Sequence, residues 1–306
     1  MKDKITISTF QFAQMFPDTE TARKYLEGRL WPEGVVCPFC QKKDRIAARK
    51  GGFYRCNACL QDFTVRTGTI FERSHVPLNK WLYAMYLLLT SRKGISSLQL
   101  SKELGITQKS AWFLLHRLRE ACGDDMATLQ GIIEVDETFI GGKETNRHAN
   151  KKLYSKGTQD KQAVLGMRER GGKAVARPIP NRTAEVLTGQ IKKHVWGGST
   201  VHTDDHAGYN DLDPRYFQHE SVNHRAKEYV RGSVHTNGIE SVWAVLKRGI
   251  YGVYHHTSTK HLQSYLDEFA FRLNEGNCKV PTLDRIVTLI EAGKGKRLTY
   301  SKLISE

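Results

Sequence analysis

The sequence predicts a multidomain protein: a small cysteine-stapled ribbon, an α-helical module, and an α/β domain built on a mixed sheet. Three observations carry this. Four cysteines stand as Cys37-Pro-Phe-Cys40 and Cys56-Asn-Ala-Cys59, with fifteen residues between the pairs. Apolar residues then recur at helical spacing as far as Arg119. From Gly131 onward, strand-like runs end on acids and give way to helix-like segments.

The cysteine spacing, C-x2-C-x15-C-x2-C, is that of a zinc site. Each C-x2-C turn aims a pair of thiolates at one point, and both turns together complete a closed tetrahedron, which marks a structural site. Arg45–Ala48, Gly52–Arg55 and Gln61–Val65 read as short strands around it. A segment this short buries too little apolar area to fold without the metal. The competing reading, a pair of redox C-x-x-C motifs, lacks the surrounding βαβ pattern. Cys122 and Cys278 have no partner pattern and read as ordinary thiols.

Leu78–Leu89, Ile95–Leu104 and Gln108–Arg119 read as helices, the last two joined by a Gly105-Ile-Thr107 turn. Ser96 or Ser97 can cap the second and Thr107 the third. Ala111, Leu114, Leu115 and Leu118 form an i, i+3, i+4, i+7 stripe. A short helix, a glycine turn and a longer helix make a helix-turn-helix pattern. It would offer Gln108 and Lys109 to bases, and Arg117 and Arg119 to phosphates. The plainer reading is a structural three-helix bundle.

Gly131–Ile140, Lys161–Met167, Ala174–Ile179 and Thr200–Thr203 read as strands. Thr183–His194, Thr236–Arg248 and Leu262–Asn274 read as helices. This mixture is compatible with an RNase H-like fold. Asp136 and Asp204 end strand-like runs, and Glu240 lies early in a helix. Three carboxylates so placed can hold two divalent metals for phosphodiester displacement. Each acid also has a plain explanation. Asp136 sits between Glu134 and Glu137, Asp204 is followed by Asp205, and Asn237-Gly-Ile-Glu240 fits a capping box. Lys247 follows Glu240 by two helical turns, on nearly the same face, where it can meet substrate phosphate beside the metals. His235, His255 and His256 read as satisfied histidines.

Composition sets outer bounds. A chain of 306 residues with a formal net charge of +15 and 39% hydrophobic residues can form a core and attracts polyanions, nucleic acid above all. Its longest apolar run, Trp81–Leu89, is about half the roughly 18 residues a membrane span needs. The N-terminus lacks a signal-peptide pattern, so a cytoplasmic protein without membrane contact is expected.

The chain resembles insertion-sequence transposases of the IS1595 family, the ISXO2-like group. The resemblance rests on the cysteine pattern, Glu134-Val-Asp-Glu-Thr-Phe-Ile-Gly-Gly142, Thr203-Asp204 and Asn237-Gly-Ile-Glu-Ser-Val-Trp-Ala-Val-Leu-Lys-Arg248, and extends to Asn274. It implies an N-terminal helical arm (1–35), a zinc ribbon (36–72), a helix-turn-helix (75–123), an RNase H-like DDE domain (131–276) and a C-terminal tail (277–306). The implied triad is Asp136, Asp204 and Glu240, with Lys247 and Arg248 on DNA and Asn237 as an alternative contact. Structural Zn²⁺ and two catalytic Mg²⁺ follow. So do double-stranded DNA as partner, both terminal inverted repeats and target, a homo-oligomer on that DNA, and a place on the bacterial nucleoid. The rival expectation is a zinc-ribbon, helix-turn-helix regulator whose nuclease-like domain is inactive.

Overall fold

The computed structural model of the protein describes residues 6–123, 128–142, 161–223, 226, 228–274 and 280–305. It divides into two compact units: Met1–Gly123 together with Glu275–Glu306, and Asp124–Asn274. No helix among the described residues is long and apolar enough to cross a membrane.

The first unit opens with α1 (Thr9–Met15) and α2 (Thr19–Leu30). Ser8 and Gln11 cap the start of α1 reciprocally, and Asp18 accepts the Thr21 N–H at 2.7 Å to start α2. Strands β1 (Ile46–Ala48), β2 (Tyr54–Cys56) and β3 (Gln61–Phe63) form a small antiparallel sheet. Trp31, at the end of α2, packs edge-on against Tyr54 and Phe63 of this sheet, with ring centroids 5.4 and 6.0 Å away. The ribbon therefore borrows apolar surface from the preceding helix, as a piece too small for its own core must.

Three helices follow: α3 (Leu78–Thr90), α4 (Ser97–Leu104) and α5 (Gln108–Cys122). Ser96 accepts the Gln99 N–H at 3.1 Å and Thr107 the Ser110 N–H at 3.2 Å, so α4 and α5 each start on a side-chain cap, whereas α3 starts at Pro77 without one. Gly105 ends α4 in the left-handed region (φ 57°), which glycine enters without a Cβ penalty.

The expected C-terminal tail needs correction. Its described part forms α9 (Thr282–Ala292) and α10 (Tyr300–Ser305) and belongs to the first unit. Thr282, Arg285, Ile286, Leu289 and Ile290 are buried, at i, i+3, i+4, i+7 and i+8. Arg285 donates to the Leu89 carbonyl at 2.6 Å, and Lys296 to the Gly123 and Glu120 carbonyls at 2.7 and 3.0 Å. The last two bonds satisfy carbonyls that the end of α5 would otherwise leave open. Cys122 is buried; Cys278 lies outside the described residues.

The second unit is a five-stranded sheet of β4 (Ile132–Ile140), β5 (Gln162–Glu169), β6 (Ala174–Ile179), β7 (Thr200–Asp204) and β8 (Gln218–Val222), in the order β6-β5-β4-β7-β8. β4, β5 and β6 pair antiparallel, whereas β7 and β8 run parallel to β4. Helix α6 (Ala184–His194) covers one face, packing Leu187 and Ile191 against Ile133, Val135, Leu165 and Val201. Helices α7 (Asn237–Gly249) and α8 (Leu262–Asn274) cover the other, where Ile239, Trp243, Leu246, Leu266 and Phe269 meet Ile140, Val164 and Ala176. The central strands are apolar on both faces because each face carries a helix layer.

Candidate functional site

The four cysteines converge. One sulfur from each of Cys37, Cys40, Cys56 and Cys59 lies within 4.8 Å of all the others. Each C-x2-C turn closes with a backbone bond, Gln41 N–H to Cys37 and Leu60 N–H to Cys56, at 2.9 and 2.8 Å. Gln41 and Leu60 then take positive φ, 61° and 58°, which turns the chain away from the sulfurs. Backbone N–H groups, that of Cys59 first, hold the Cys56 thiol down at about 6. Four sulfurs at this spacing fit tetrahedral zinc and leave no open position. Cys37→Ser is expected to lose about one equivalent of zinc and to unfold the ribbon, because metal binding and folding are one event in so small a module. Zinc content and hydrogen exchange of the ribbon amides measure this. Full zinc occupancy in a Cys37/Cys40 double variant would defeat it.

On the sheet, β4 and β7 are in parallel register, with Ile133 opposite Val201 and Glu134 opposite His202. Two residues further along each strand stand Asp136 and Asp204, at the same level and on the same face. Asp204 is the last residue of β7 and accepts the His206 N–H at 3.1 Å. Asp136 faces α7, and Trp243 of that helix donates its indole N–H to Asp136 Oδ2 at 3.0 Å. Opposite Asp136 on β5 is Gly166, where an added Cβ would lie 2.3 Å from the Trp243 ring. That glycine makes room for the indole. Burial, then the charges of Glu137 and Asp204, push the Asp136 carboxyl up to about 7. Burial also raises Glu137, which points to the α6 face beside Tyr209.

Glu240 lies in the first turn of α7, is exposed, and accepts the Thr236 hydroxyl at 3.1 Å. Among the described residues, only the cysteines bring three or more metal-capable atoms within 4.8 Å. The structure thus sets Asp136 beside Asp204 on neighbouring parallel strands, with Glu240 in the first turn of the helix that packs over that face. Asp205 is half-buried. Lys247 is half-buried and Arg248 exposed, both in the last turn of α7.

The capping box expected at Asn237 to Glu240 is not formed. The N-cap is Thr236, which makes no side-chain cap bond, and Glu240 is the fourth residue of the helix rather than the third. The Ile239 N–H goes instead to Glu134 Oε2, at 3.0 Å, from strand β4. Glu134 is 2% exposed and is held by Arg170 at 3.1 Å and His235 at 3.4 Å. At Gly238 a Cβ would lie 2.4 Å from Glu134 Oε2, so the helix start can approach that carboxylate only as glycine. Arg168 adds bonds to the Gly238 carbonyl and the Ser241 hydroxyl at 2.6 and 3.0 Å. Glu134, Trp243 and Gly166 are thus parts of the site that residue pattern did not single out. Trp243 carried a signal, since it lies one turn beyond Glu240.

In the first unit, Gln108 and Lys109 are exposed at the N-terminal end of α5; Gln108 donates to Ser97 at 3.3 Å, and the Lys109 ammonium lies 4.6 Å from the Tyr300 ring centre. The expected phosphate contacts Arg117 and Arg119 need correction, because they are 5% and 1% exposed. Arg117 donates to the Leu298 and Glu72 carbonyls at 3.2 and 2.5 Å, so its guanidinium satisfies backbone brought in from distant parts of the unit. Arg117→Ala is expected to cost about 2–4 kcal/mol of stability, through the carbonyls left unpaired and the space left behind. A denaturant titration reads this; an unchanged midpoint would refute it.

A family model described as the ISXO2-like transposase domain matches residues 128–274. A second, described as the transposase zinc-ribbon domain, matches residues 17–61. The chain belongs to the IS1595 (ISXO2-like) family of transposases. A protein of the transposable element ISH50 from Halobacterium salinarum is 29% identical over 277 residues, 85% of this chain and 92% of that protein. A transposase-like protein from Haemophilus influenzae is 29% identical over 101 residues, 33% of this chain and 80% of its own length. The zinc-ribbon match begins at residue 17, within α1–α2 country, in keeping with the packing of Trp31 on the ribbon.

Proposed function

We propose that this transposase binds the terminal inverted repeats of an insertion sequence, cleaves DNA at the element ends and joins those ends to target DNA. The observation that carries the reading is Asp136 beside Asp204 on neighbouring parallel strands, within the matched transposase domain. The order β6-β5-β4-β7-β8, antiparallel then parallel and helix-covered on both faces, supports an RNase H-like frame for it.

Asp136, Asp204 and Glu240 are the residues that would hold Mg²⁺. Their donor set fits, since hard carboxylate oxygens suit Mg²⁺. Asp136, pushed up to about 7 beside other carboxylates, is a place where a cation offsets unfavourable charge. A bound pair would stabilise the attacking and leaving oxygens of phosphodiester displacement. The protein's own share is positional. Trp243 orients Asp136, Glu134 and Arg168 anchor the start of α7, and Lys247 with Arg248 offers cations to phosphate. In the first unit, α4 and α5 around Gly105 act as a helix-turn-helix that turns Gln108 and Lys109 to bases. Joining two ends calls for a homo-oligomer on the DNA.

The test is incubation of the full chain with a duplex carrying the element ends. Nicking at the ends in Mg²⁺, with joined products when target DNA is added and neither in EDTA, is expected. Specific end binding with no cleavage in any divalent metal would favour the inactive-domain regulator. On that side stands the fact that, among the described residues, the three carboxylates are not all within 4.8 Å of one another.

A further inference from the structure

The chain leaves α7 through uncommon backbone forms. Ile250–Tyr254 continues the helix as a π-helical turn, a form that recurs at functional sites. His255 then has φ 61° and ψ −42°, and the His256 N–H bonds to the Tyr254 carbonyl at 2.7 Å. This is the γ-turn of positive φ, the rare and strained hand. A non-glycine residue held in such a region persists only where its surroundings demand it, and such positions gather at ligand sites.

His255, His256 and Thr257 all line one cavity of about 460 Å³, together with Gly141, Gly142 and Lys161. Tyr251 ties this wall to the end of β4 by donating to the Gly141 carbonyl at 3.3 Å. Thr257 Oγ1 is buried and, among the described residues, has no hydrogen-bond partner. A buried hydroxyl without a partner is costly and asks for an explanation. The described wall offers an ammonium, a pair of imidazoles and this hydroxyl, and contains no carboxylate. Such a donor set suits an anion with several acceptor oxygens.

We propose that this cavity holds a phosphodiester of the bound DNA strand, away from the one that reacts. The proposal rests on the transposase reading of the same domain. A strand rises about 3.3 Å per residue, so Gly141 lies about 17 Å along β4 from Asp136. One DNA strand places a phosphate every 3.4 Å or so along the helix axis. The cavity therefore takes a phosphate about five nucleotides from the reacting one. Lys161 supplies charge, His255 and His256 supply N–H donors, and the Thr257 hydroxyl gains its missing partner.

Thr257→Val and His255→Gly separate this from a merely structural role. Valine keeps the shape and removes an unsatisfied hydroxyl; glycine accepts positive φ without strain. A structural role predicts that both variants are as stable as wild type or more so, with DNA binding untouched. The proposal predicts the same stability but end-DNA affinity lower by about tenfold, the loss of one charge-assisted bond. A duplex with a neutral methylphosphonate, walked across positions four to six from the cut, should show one position where wild type loses affinity and Thr257→Val loses nothing further. Unchanged affinity in both variants, or a flat methylphosphonate profile, overturns the proposal. Competition by millimolar inorganic phosphate without a position-specific DNA effect assigns the cavity to free phosphate and overturns it as well. Wild-type cutting is measured alongside: cutting with unchanged variants sinks this site alone, whereas a wild type that neither binds nor cuts end DNA sinks the transposase reading with it.

Discussion

Asp136→Asn is expected to reduce end cleavage and joining by at least about a thousandfold, since losing a metal-binding carboxylate at the reacting phosphate removes several kcal/mol of transition-state stabilisation. Specific end binding should stay within a few-fold, because the exposed face at Gln108 and Lys109 belongs to the other unit. Asp204→Asn should behave alike, and Asp205→Asn should keep substantial activity. Glu240→Gln is the sharper probe. Its side chain accepts from the Thr236 hydroxyl, which glutamine preserves, and no capping box remains to explain the acid. A fully active Glu240→Gln protein would overturn the triad. Stability gives an independent reading of Asp136. Its folded value of about 7 lies above the ordinary 3.8, so between those limits the folded state binds more protons than the unfolded one. Stability of the metal-free protein therefore falls as pH rises from about 4 through 7. Asp136→Asn, which cannot ionise, should flatten that fall and raise the melting temperature at pH 8. Mg²⁺ should do the same for the wild type. A metal-free melting temperature that climbs across this range, unaffected by Mg²⁺, would show that Asp136 is not the strained carboxylate described.

What was legible in the sequence was local. The cysteine spacing fixes a cluster because each C-x2-C turn is self-contained, and the turns indeed close on their own backbone bonds. The strands β4 to β7 and the helices α6 to α8 were readable because apolar residues mark both faces of the sheet. Strand β8 was not: Gln218-His-Glu-Ser-Val222 has one buried apolar residue and sits at the sheet edge, where burial leaves little pattern. Arg117 shows a different limit. A basic residue on a helix reads as solvent- or phosphate-facing, and nothing near it in sequence announces the Leu298 carbonyl that holds it. Helix α9 carries a readable stripe, with Pro281 before it and Gly293 after, but nothing local in that stripe announces that it packs with the N-terminal unit. The start of α7 failed for the same reason as Arg117. A local acid three residues on looked like the cap, whereas the acceptor came from 105 residues away.

That long-range cap leads to the second large effect. Glu134→Ala is expected to cost about 3 kcal/mol or more, because it leaves the Ile239 N–H and part of the Arg170 guanidinium without their partner in a buried place. In a unit of this size each kcal/mol moves the melting temperature by about 2–4 °C, so a drop of roughly 6–12 °C is expected. Glu134→Gln should be milder, since one amide oxygen still accepts from Ile239. The consequence for activity follows from what α7 carries. Glu240 and Lys247 ride on a helix whose start is fixed to the strand of Asp136 through this one carboxylate, so loosening it should lower kcat and raise the Mg²⁺ concentration for half-maximal cleavage, with end affinity little changed. Gly238→Ala reaches the same contact from the other side without deleting a buried charge, for its Cβ would meet Glu134 Oε2 at 2.4 Å. If both variants fold and both keep the wild-type metal dependence, the anchoring of α7 has no part in assembling the carboxylates. If Gly238→Ala shifts the metal requirement while Glu134→Gln largely restores it relative to Glu134→Ala, the cap is what sets Glu240 against the aspartates.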